Sequence, residues 1–347
     1  MEKSPKNHIS GGKVEFGDTR SVGLSVGSQE NLPRSKYKLS SFYKFVPFSQ
    51  DKVAVFQHQL QQNGELLGLR GLFLIGEEGF NATICGCPDS VDQFKVLLSD
   101  LTGVSDIWFK DSYAQQPAFH LFKVKVRPEI VTLDRLDIVP KSVEDHHIEP
   151  EEWDALMAQQ GVKVIDTRNN YETEIGKFRG ALDFGIRNFQ EFPEKMKQSD
   201  LPKDGKYLIY CTGGIRCEKA IWALREQGYK EVYQLNGGIL NYFAQRGASN
   251  FEGECFVFDH RVAVDSQLNP SQKYHLCPHC GQTAADLIAC QQCHQKVHVC
   301  SDCLTDSKHP EYHTCSKNCA HHFRMGHKTE RIHLDSFRKR MEVPFSK

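Results

Sequence analysis

The sequence predicts a soluble protein of mixed α/β and α+β class, with two folded domains followed by a cysteine-rich metal module. Three observations predict this class: a segment ordered strand, helix, strand, strand, helix, strand; a later segment in which buried strands alternate with helices; and four closely spaced cysteine pairs. A length of 347 residues suits two or three domains. The net charge of -1 gives no overall field for nucleic acid or membrane, so any polyanion site must be a local patch.

The first part of the chain predicts an arm followed by an α+β domain. Residues 1–36 are rich in Ser, Gly, Asn and Lys without a sustained apolar period, which is typical of a disordered arm. Residues 37–127 begin with the strand "KLSSFYKFV" and a helix that ends at Asn63-Gly64. The hairpin "GLRGLFLIGEEGFNATICG", a helix that opens near Pro88 and strands in "VSDIWFKDS" and "FHLFKVKVRPEI" follow. This order matches a ferredoxin-like split βαβ unit.

The middle of the chain predicts a parallel-sheet domain. Residues 128–150 contain prolines and charges with little periodicity, which predicts a linker. Within 151–250, "VKVIDTR", "YLIYC" and "EVYQL" predict buried strands separated by helices, the pattern of a parallel sheet. Residues 251–347 hold a Cys/His-rich segment and a basic tail. Without an apolar run of about 18 residues or an apolar leader, we expect a cytoplasmic protein with no membrane span.

A cysteine at the end of a predicted strand is the strongest candidate for catalysis. Cys211 closes "YLIYC", and ligands of open α/β sheets bind at the carboxyl ends of strands. The two glycines that follow let the backbone curl so that N–H groups point inward, and a helix starts near Cys217. Helix end, amides and Arg216 all favour an anion, so they predict a thiol with a lowered pKa. The candidate loop comprises Thr212, Gly213, Gly214, Ile215 and Arg216. The alternative is a cysteine that merely packs at a strand end.

Three nearby residues have both a functional and a structural interpretation. Cys217 could resolve a sulfenate, disulfide or persulfide on Cys211, or be an inert residue of the first helical turn. Asp166 and Arg168 follow the strand "VKVID". They could orient the loop or bind substrate, or they could form a salt bridge at a strand end.

Four cysteine pairs predict metal centres near the end of the chain. Clustered C-x-x-C pairs in a chain without a secretory signal are typical of zinc ligands in a reducing compartment. Eight thiolates suffice for two tetrahedral structural zinc sites, and sequential and interleaved pairing both fit. The histidines that could replace a cysteine are His275, His279, His294, His298 and His313. The predicted ligands are Cys277, Cys280, Cys290, Cys293, Cys300, Cys303, Cys315 and Cys319. A disulfide cluster is the alternative.

Several long motifs, in order, carry a resemblance to a known family. Residues 162–246, with "YCTGGIRCEKA" and "VYQLNGGI", resemble a rhodanese-like domain, in which the cysteine opens a six-residue loop and carries sulfur as a persulfide. "YKFVP", "GLFLIGEEGFNATICG", "KVKVRPEIVTL" and "DTRNNYETEIGKFRGA" extend this resemblance over about residues 37–265. Together they resemble the bacterial tRNA uridine-34 hydroxylase family. Where many relatives have "GHF", this chain has Lys177 in "GKF".

The resemblance implies oxygen-dependent 5-hydroxylation of the wobble uridine of tRNA, with Cys211 at the matching catalytic position. The nucleophile would be the Cys211 thiolate, added to C6 of uracil, or a Cys211 persulfide. Oxygen is then the co-substrate, and the sequence contains no dinucleotide fingerprint or evident flavin or iron site. The expected partner is the anticodon region of tRNA, whereas the oligomeric state stays open.

Two cationic segments are candidates for contacting phosphates. "LFKVKVRP" alternates Lys123, Lys125 and Arg127 on one strand face, although a solvated polar face explains it equally well. The basic tail adds Arg324, Lys328, Arg331, Arg338, Lys339 and Arg340. Two rival functions remain at this point: a sulfurtransferase that carries a Cys211 persulfide, and a non-enzymatic RNA- or protein-binding module stabilised by zinc.

Overall fold

A computed structural model describes residues 36–140 and 146–326. The predicted arm, up to residue 35, and the tail beyond residue 326 lie outside the described residues. No helix of the described part is long and apolar enough to cross a membrane.

The N-terminal domain is a five-stranded sheet with order β4-β1-β3-β2-β5, covered on one face by two helices. Strand β3 lies antiparallel between β1 and β2, which is the predicted split βαβ arrangement. A further strand, β5, pairs in parallel with β2. The elements are β1 (Tyr37–Phe45), α1 (Gln50–Leu66), β2 (Arg70–Gly76), β3 (Gly79–Gly86), α2 (Pro88–Thr102), β4 (Lys110–Ala114) and β5 (Phe122–Val126).

Helix α1 runs further than the sequence predicts. It ends at Leu66, past the Asn63-Gly64 pair that suggested a stop. A side chain at Gly64 would clash with the ring of Phe122 on β5. This glycine therefore permits close packing of helix on strand and does not end the helix.

The central domain is a parallel sheet with order β6-β11-β10-β7-β9. Helices α5 and α6 cover one face, and α3 and α7 cover the other. The elements are β6 (His147–Ile148), α3 (Pro150–Met157), β7 (Val162–Asp166), α4 (Asn170–Thr173), β8 (Gly176–Phe178), β9 (Leu182–Asp183), a 3-10 turn (Phe189–Glu191), α5 (Phe192–Gln198), β10 (Lys206–Tyr210), α6 (Ile215–Glu226), β11 (Glu231–Leu235) and α7 (Gly238–Arg246). The predicted combination of an α+β domain and a parallel-sheet domain is confirmed.

The segment between the two domains packs against the central domain. Leu133 and Ile138 are buried in the core that α5 and α6 share. Residues 141–145 lie outside the described residues.

The buried ammonium of Lys219 links the two domains. Lys219 on α6 is fully buried, and its Nζ lies 2.7 Å from Glu78 Oε2 and 2.6 Å from Glu129 Oε2. Glu78 belongs to the β2–β3 turn and Glu129 to the segment after β5. Three distant stretches of the sequence therefore meet at a single cation.

The C-terminal part begins as an extension of the central domain. Strand β12 pairs antiparallel with β8, and Phe251 and Val264 join the core of the central domain. Small hairpins and short helices follow, around the cysteine pairs. The elements are β12 (Phe251–Gly253), β13 (Cys255–Phe256), β14 (Ala263–Val264), β15 (His275–Leu276), β16 (Thr283–Ala284), β17 (Asp286–Ala289), β18 (Lys296–Val299), α8 (Ser301–Thr305), a 3-10 turn (Pro310–Tyr312) and α9 (Lys317–Arg324).

Candidate active site and metal centres

Cys211 lies directly after β10, at the carboxyl edge of the parallel sheet, and is fully buried. Its Sγ accepts a hydrogen bond from the Gly214 backbone N–H at 3.1 Å. Gly214 has φ +100° and is the residue before α6, which begins at Ile215 rather than near Cys217. Ile215 and Arg216 are thus the first turn of the helix, because the left-handed glycine closes the loop two residues earlier than predicted.

The surroundings of Cys211 favour the thiolate. Burial alone raises the pKa of its thiol. The Cys217 hydrogen bond, the Arg216 charge and the backbone N–H groups of Arg216 and Cys217 act against burial and lower the pKa to about 5. Burial and the neighbouring charge of Cys211 raise the pKa of Cys217 well above its usual range. The shared proton of this pair therefore stays with Cys217, and Cys211 carries the negative charge.

Other buried thiols of the same chain show the opposite effect. Burial raises the pKa of Cys255 to about 12, and it also raises the pKa of Cys85. Burial is common to all three residues, whereas only Cys211 sits inside a curled loop at a helix N-terminus. The loop therefore accounts for the difference between Cys211 and an ordinary packed cysteine.

Arg216 is fixed by Glu172, a carboxylate that the sequence alone leaves as either a surface group or a support of the loop. Its guanidinium forms a bidentate ion pair with Glu172, at 2.5 Å for Nη1–Oε2 and 2.8 Å for Nη2–Oε1. Glu172 is fully buried and also accepts from Thr212 Oγ1 at 3.2 Å. Burial raises the pKa of Glu172, but the Arg216 charge outweighs this effect and the pKa is lowered. The pair holds the Arg216 charge beside the cysteine loop.

Asp166 and Arg168 form a separate buried ion pair. Arg168 Nε lies 2.9 Å from Asp166 Oδ1, and its Nη2 lies 2.7 Å from Oδ2. Arg168 also donates to the Gly176 carbonyl, and Tyr210 Oη donates to Asp166 at 2.6 Å. These contacts tie the end of β7 to β8 and β10. We therefore interpret the pair as support for the sheet edge that carries Cys211.

The loop is also held from the side of α7. The Ile239 N–H donates to the Cys211 carbonyl at 3.0 Å, and the Leu240 N–H donates to the Thr212 carbonyl at 3.1 Å. Gly238 has φ +68°, and a Cβ there would lie 2.5 Å from the Cys211 carbonyl oxygen. The glycine is required by this close approach of two backbones.

The N-terminal domain adds three side chains to the cysteine loop, none of which the sequence singled out. Tyr43 Oη lies 2.9 Å from the Cβ position of Gly214, and Lys110 Cε lies 3.8 Å from that of Gly213. The ring of Trp108 packs directly against Gly237. Lys110 Nζ lies 4.9 Å from the centre of the Tyr43 ring and 4.8 Å from that of Trp108. We call Tyr43, Trp108 and Lys110 the aromatic–lysine cluster. In the sequence, only the closeness of Trp and Lys in "WFK" indicated that an aromatic ring and a cation could meet here.

A buried polar network lies beneath Tyr43. Glu218 Oε1 accepts from Tyr43 Oη at 2.9 Å and from Gln234 Nε2 at 2.8 Å, and it lies 3.0 Å from His147 Nε2. Glu218, His147 and His146 place potential metal-ligand atoms within 4.8 Å of one another. Because the carboxylate is already occupied by hydrogen-bond donors, we assign these residues to a hydrogen-bond network and not to a metal centre.

The eight C-terminal cysteines converge on two centres. Cys277, Cys280, Cys300 and Cys303 form one group, and Cys290, Cys293, Cys315 and Cys319 form the other, with all sulfurs of a group within 4.8 Å. Sulfurs from different pairs approach closely, at 3.4 Å for Cys280–Cys300 and 3.5 Å for Cys293–Cys315. Zn–S bonds of about 2.3 Å require sulfurs about 3.8 Å apart in a tetrahedron, so both groups can hold a zinc-sized ion. The pairing is interleaved: first pair with third, second with fourth.

The spare histidines stay outside both groups among the described residues. His275 stacks on His298, with ring centres 3.9 Å apart, and His279 Nε2 lies 2.7 Å from the Thr314 carbonyl oxygen. Of the two cationic segments, the first is exposed: Lys123 and Lys125 lie on β5, and Arg127 follows its last residue. In the basic tail, Arg324 lies 3.7 Å from Glu311, and its other basic residues lie outside the described part.

Known families and proteins match the chain along most of its length. A UPF0176 acylphosphatase-like domain matches residues 37–130, a rhodanese-like domain matches 149–245, and a rhodanese C-terminal domain matches 252–320. A tRNA uridine(34) hydroxylase of Bdellovibrio bacteriovorus is 43% identical over 287 residues, which cover 82% of this chain and 81% of that protein. The chain belongs to the tRNA uridine(34) hydroxylase family. A second member, from Synechocystis, is 41% identical over 71% of this chain and 88% of its own length.

Solved structures resemble only part of this family member. The Alr3790 protein of Anabaena is 20% identical, with a TM-score of 0.27, and covers 30% of this chain and 91% of its own. A rhodanese-like domain protein of Staphylococcus aureus is 25% identical, with a TM-score of 0.25, and covers 28% and 89%. Scores this low do not bear on the function.

Proposed function

We propose that this chain catalyses the oxygen-dependent 5-hydroxylation of uridine 34, the wobble nucleotide of tRNA, with Cys211 as the nucleophile. The observation that carries the proposal is the match to relatives of that name over four-fifths of the chain. The site supports it, because a cysteine whose pKa falls to about 5 is almost wholly ionised at neutral pH.

The thiolate has a direct role in this chemistry. Its Sγ adds to C6 of the uracil ring, and the C5–C6 electron pair moves onto C5 and the oxygen at C4. C5 then becomes the electron-rich carbon that bonds one oxygen atom of O2, while a two-electron reductant such as an external thiol pair takes the other oxygen atom to water. When the C6–S bond breaks, C5 loses its proton, the C5–C6 double bond re-forms and the thiolate returns to the loop. The N–H of Gly214 and the charge of Arg216 stabilise it before addition and after release. A Cys211 persulfide is the alternative nucleophile.

Mass analysis of tRNA nucleosides tests the proposal. A bacterial strain deleted of its own family member is complemented with wild type, Cys211→Ser or the buried-thiol control Cys85→Ala. We expect wild type and the control to restore 5-hydroxyuridine derivatives and Cys211→Ser to restore none. If wild type leaves the nucleosides unchanged but transfers sulfur from thiosulfate to cyanide, the protein is a sulfurtransferase. Restoration of the nucleosides by Cys211→Ser would refute Cys211 as the nucleophile, and rescue of every phenotype of the deletion by Cys211→Ser would favour a non-enzymatic binding module.

Thiolate and persulfide can be separated in the same material. Intact-protein mass spectrometry of active wild type, purified without reductant, reports whether Cys211 carries an extra sulfur. Activity that survives treatment with a persulfide-removing thiol or cyanide supports the thiolate. Activity that disappears and returns with added thiosulfate, which transfers its outer sulfur to the Cys211 thiolate and leaves as sulfite, supports the persulfide.

We further propose that both cysteine centres hold structural zinc. Closed sets of four thiolates leave no open coordination position, so the ions would stabilise the C-terminal hairpins and take no part in the reaction. Native mass spectrometry should find about two zinc ions per chain. With interleaved pairing, Cys277→Ser/Cys300→Ser keeps one ion and Cys277→Ser/Cys290→Ser keeps none. Sequential pairing gives the reverse result, so the two double variants decide between the schemes.

The anticodon arm of tRNA is the proposed partner surface. Lys123, Lys125 and Arg127 present three exposed cations on and directly after one edge strand of the N-terminal domain, which also brings the aromatic–lysine cluster to Cys211. If these cations contact phosphates, alanine at each position should weaken tRNA binding. It should also reduce the slope of log affinity against log salt concentration by about one. Equal salt slopes in wild type and variants would place the RNA elsewhere.

A further inference from the structure

Several lysines of the N-terminal sheet and its helices are held by carboxylates, whereas the lysine beside the cysteine loop is not. Lys38 and Lys95 pair with Asp111, and Lys44 pairs with Asp106. Lys110 forms no ion pair within residues 36–140 and 146–326, although it is only partly exposed. Its ammonium rests between two aromatic rings, with its stem near Gly213 of the cysteine loop. A cation left unpaired beside a buried nucleophile is available to a substrate.

We propose that Lys110 is a catalytic residue whose ammonium, placed by Tyr43 and Trp108, binds the oxygen at uracil C4 as negative charge develops there. This inference rests on the proposed function. In the addition step the S–C6 bond forms, the C5–C6 π bond breaks, and its electron pair is delocalised over C5 and the C4 oxygen. The ammonium is a hydrogen-bond donor to that oxygen and gives up no proton, so the thiolate can leave by the reverse electron movement.

Two other features agree with a base bound at this place. Trp108 and Lys110 line a cavity of about 200 Å³ that Leu240 and Asn241 of α7 also line. Aromatic faces are the usual support for an extruded base, and Trp108 leaves 43% of its surface exposed. Cys211 does not line the cavity itself, but its carbonyl accepts from the first turn of α7. The base would therefore enter between the two domains and meet the loop from the N-terminal side.

The nearby cations cannot take over this role. Arg216 is held by Glu172 in a buried bidentate pair. Arg261, which also lines the cavity, is held by Asp259 at 2.6 Å and 2.8 Å. Only Lys110 combines contact with the loop and a free charge within the described residues.

The charges that face Lys110 also predict a pH signature. Burial lowers the pKa of its ammonium to about 8, while the negative charges of Cys211 in the loop and Glu218 on α6 act to raise it. On β1, burial raises the pKa of Tyr43 well above its usual range, so this phenol stays neutral. Loss of the Lys110 proton should therefore slow wild type above about pH 8, whereas an arginine in its place should move this limb to higher pH.

Hydrogen exchange at C5 isolates the addition step from the oxygen chemistry. Without oxygen, reversible addition of Cys211 to C6 lets C5 take up deuterium from D2O before the thiolate leaves. The probe is an anticodon stem–loop RNA with uridine at position 34. We compare wild type, Lys110→Met, Lys110→Arg and the surface control Lys52→Met, and hydroxylation of the same RNA is measured in air. Circular dichroism and thermal melting verify that each variant is folded.

We expect Lys110→Met to exchange and hydroxylate about 10²–10³-fold more slowly in kcat with a smaller change in KM, as for loss of one donor to a developing oxyanion. Lys110→Arg should recover most of the rate with the shifted alkaline limb. If folded Lys110→Met exchanges as fast as wild type while wild type hydroxylates, only the Lys110 assignment fails. If wild type neither exchanges nor hydroxylates, the proposed function fails and the assignment with it.

Discussion

We first consider removal of the Cys217 thiol, because its hydrogen bond is the largest of the effects that lower the pKa of Cys211. The fall from an ordinary value of 9.0 to about 5 corresponds to about 5 kcal/mol in favour of the thiolate. A hydrogen bond to a charged group contributes about 1.5–3 kcal/mol of this. Cys217→Ala should therefore raise the pKa of Cys211 by about one to two, to about 6–7. At pH 6 the ionised fraction falls from about nine-tenths to about half or less.

The assay is the ultraviolet absorbance of the thiolate, followed against pH as a difference from Cys211→Ser. Absorbance requires no reagent to reach a fully buried sulfur. Cys217→Ser keeps a donor at the same position and should shift the pKa much less, while Cys85→Ala should leave it unchanged. Equal titration curves for wild type and Cys217→Ala would refute the role of this hydrogen bond. A wild-type midpoint near 9 would refute the account of the whole loop.

Three further predictions concern folding and the loop. Lys219→Met leaves two buried carboxylates without their cation and should reduce the free energy of unfolding in urea by about 3–5 kcal/mol, whereas Lys206→Met at the surface should cost under about 1 kcal/mol; equal losses would contradict this. Gly238→Ala forces a Cβ into the Cys211 carbonyl and should abolish hydroxylation, whereas Gly213→Ala, with only Lys110 Cε at 3.8 Å, should keep most of it; a fully active Gly238→Ala would disprove the close approach. Because folding lowers the pKa of Cys211, its thiolate stabilises the protein fully above pH 9 and loses this contribution as pH falls through about 5; the advantage of wild type over Cys211→Ser in urea should shrink over that range, and a constant difference would contradict it.

The sequence predicted what is encoded locally. Cys211, its two glycines and the helix that follows lie within a few residues, so the strand–loop–helix order already indicated a thiolate. The cysteine pairs were equally local, but which pair joins which depends on how the hairpins fold back. Both pairings satisfied the spacing, and only the three-dimensional arrangement brings Cys280 to Cys300 and Cys293 to Cys315.

The contacts that sequence reasoning missed join residues over long separations. Tyr43 is 175 residues from Glu218, and Glu172 is 44 residues from Arg216. In sequence each looks like an ordinary strand or surface residue, because nothing nearby reveals the domain or loop that covers it. Gly64 was misread for a similar reason. It resembled a helix stop, whereas it is the residue that leaves space for the ring of Phe122 on a strand distant in sequence.

If the interleaved centres hold the proposed metal ions, their arrangement has a consequence for how the chain would acquire them during synthesis. Cys277, Cys280, Cys290 and Cys293 leave the ribosome before Cys300, and these four thiols make a complete but wrong set for one ion. An ion captured there must exchange two sulfurs when the later pairs emerge. Metal supplied late therefore favours the native arrangement, whereas abundant metal during translation favours a trapped one. The chain segment between the first and last cysteine of one centre overlaps the corresponding segment of the other centre. A single backbone cut between Cys293 and Cys300 lies within both segments and would open both at once.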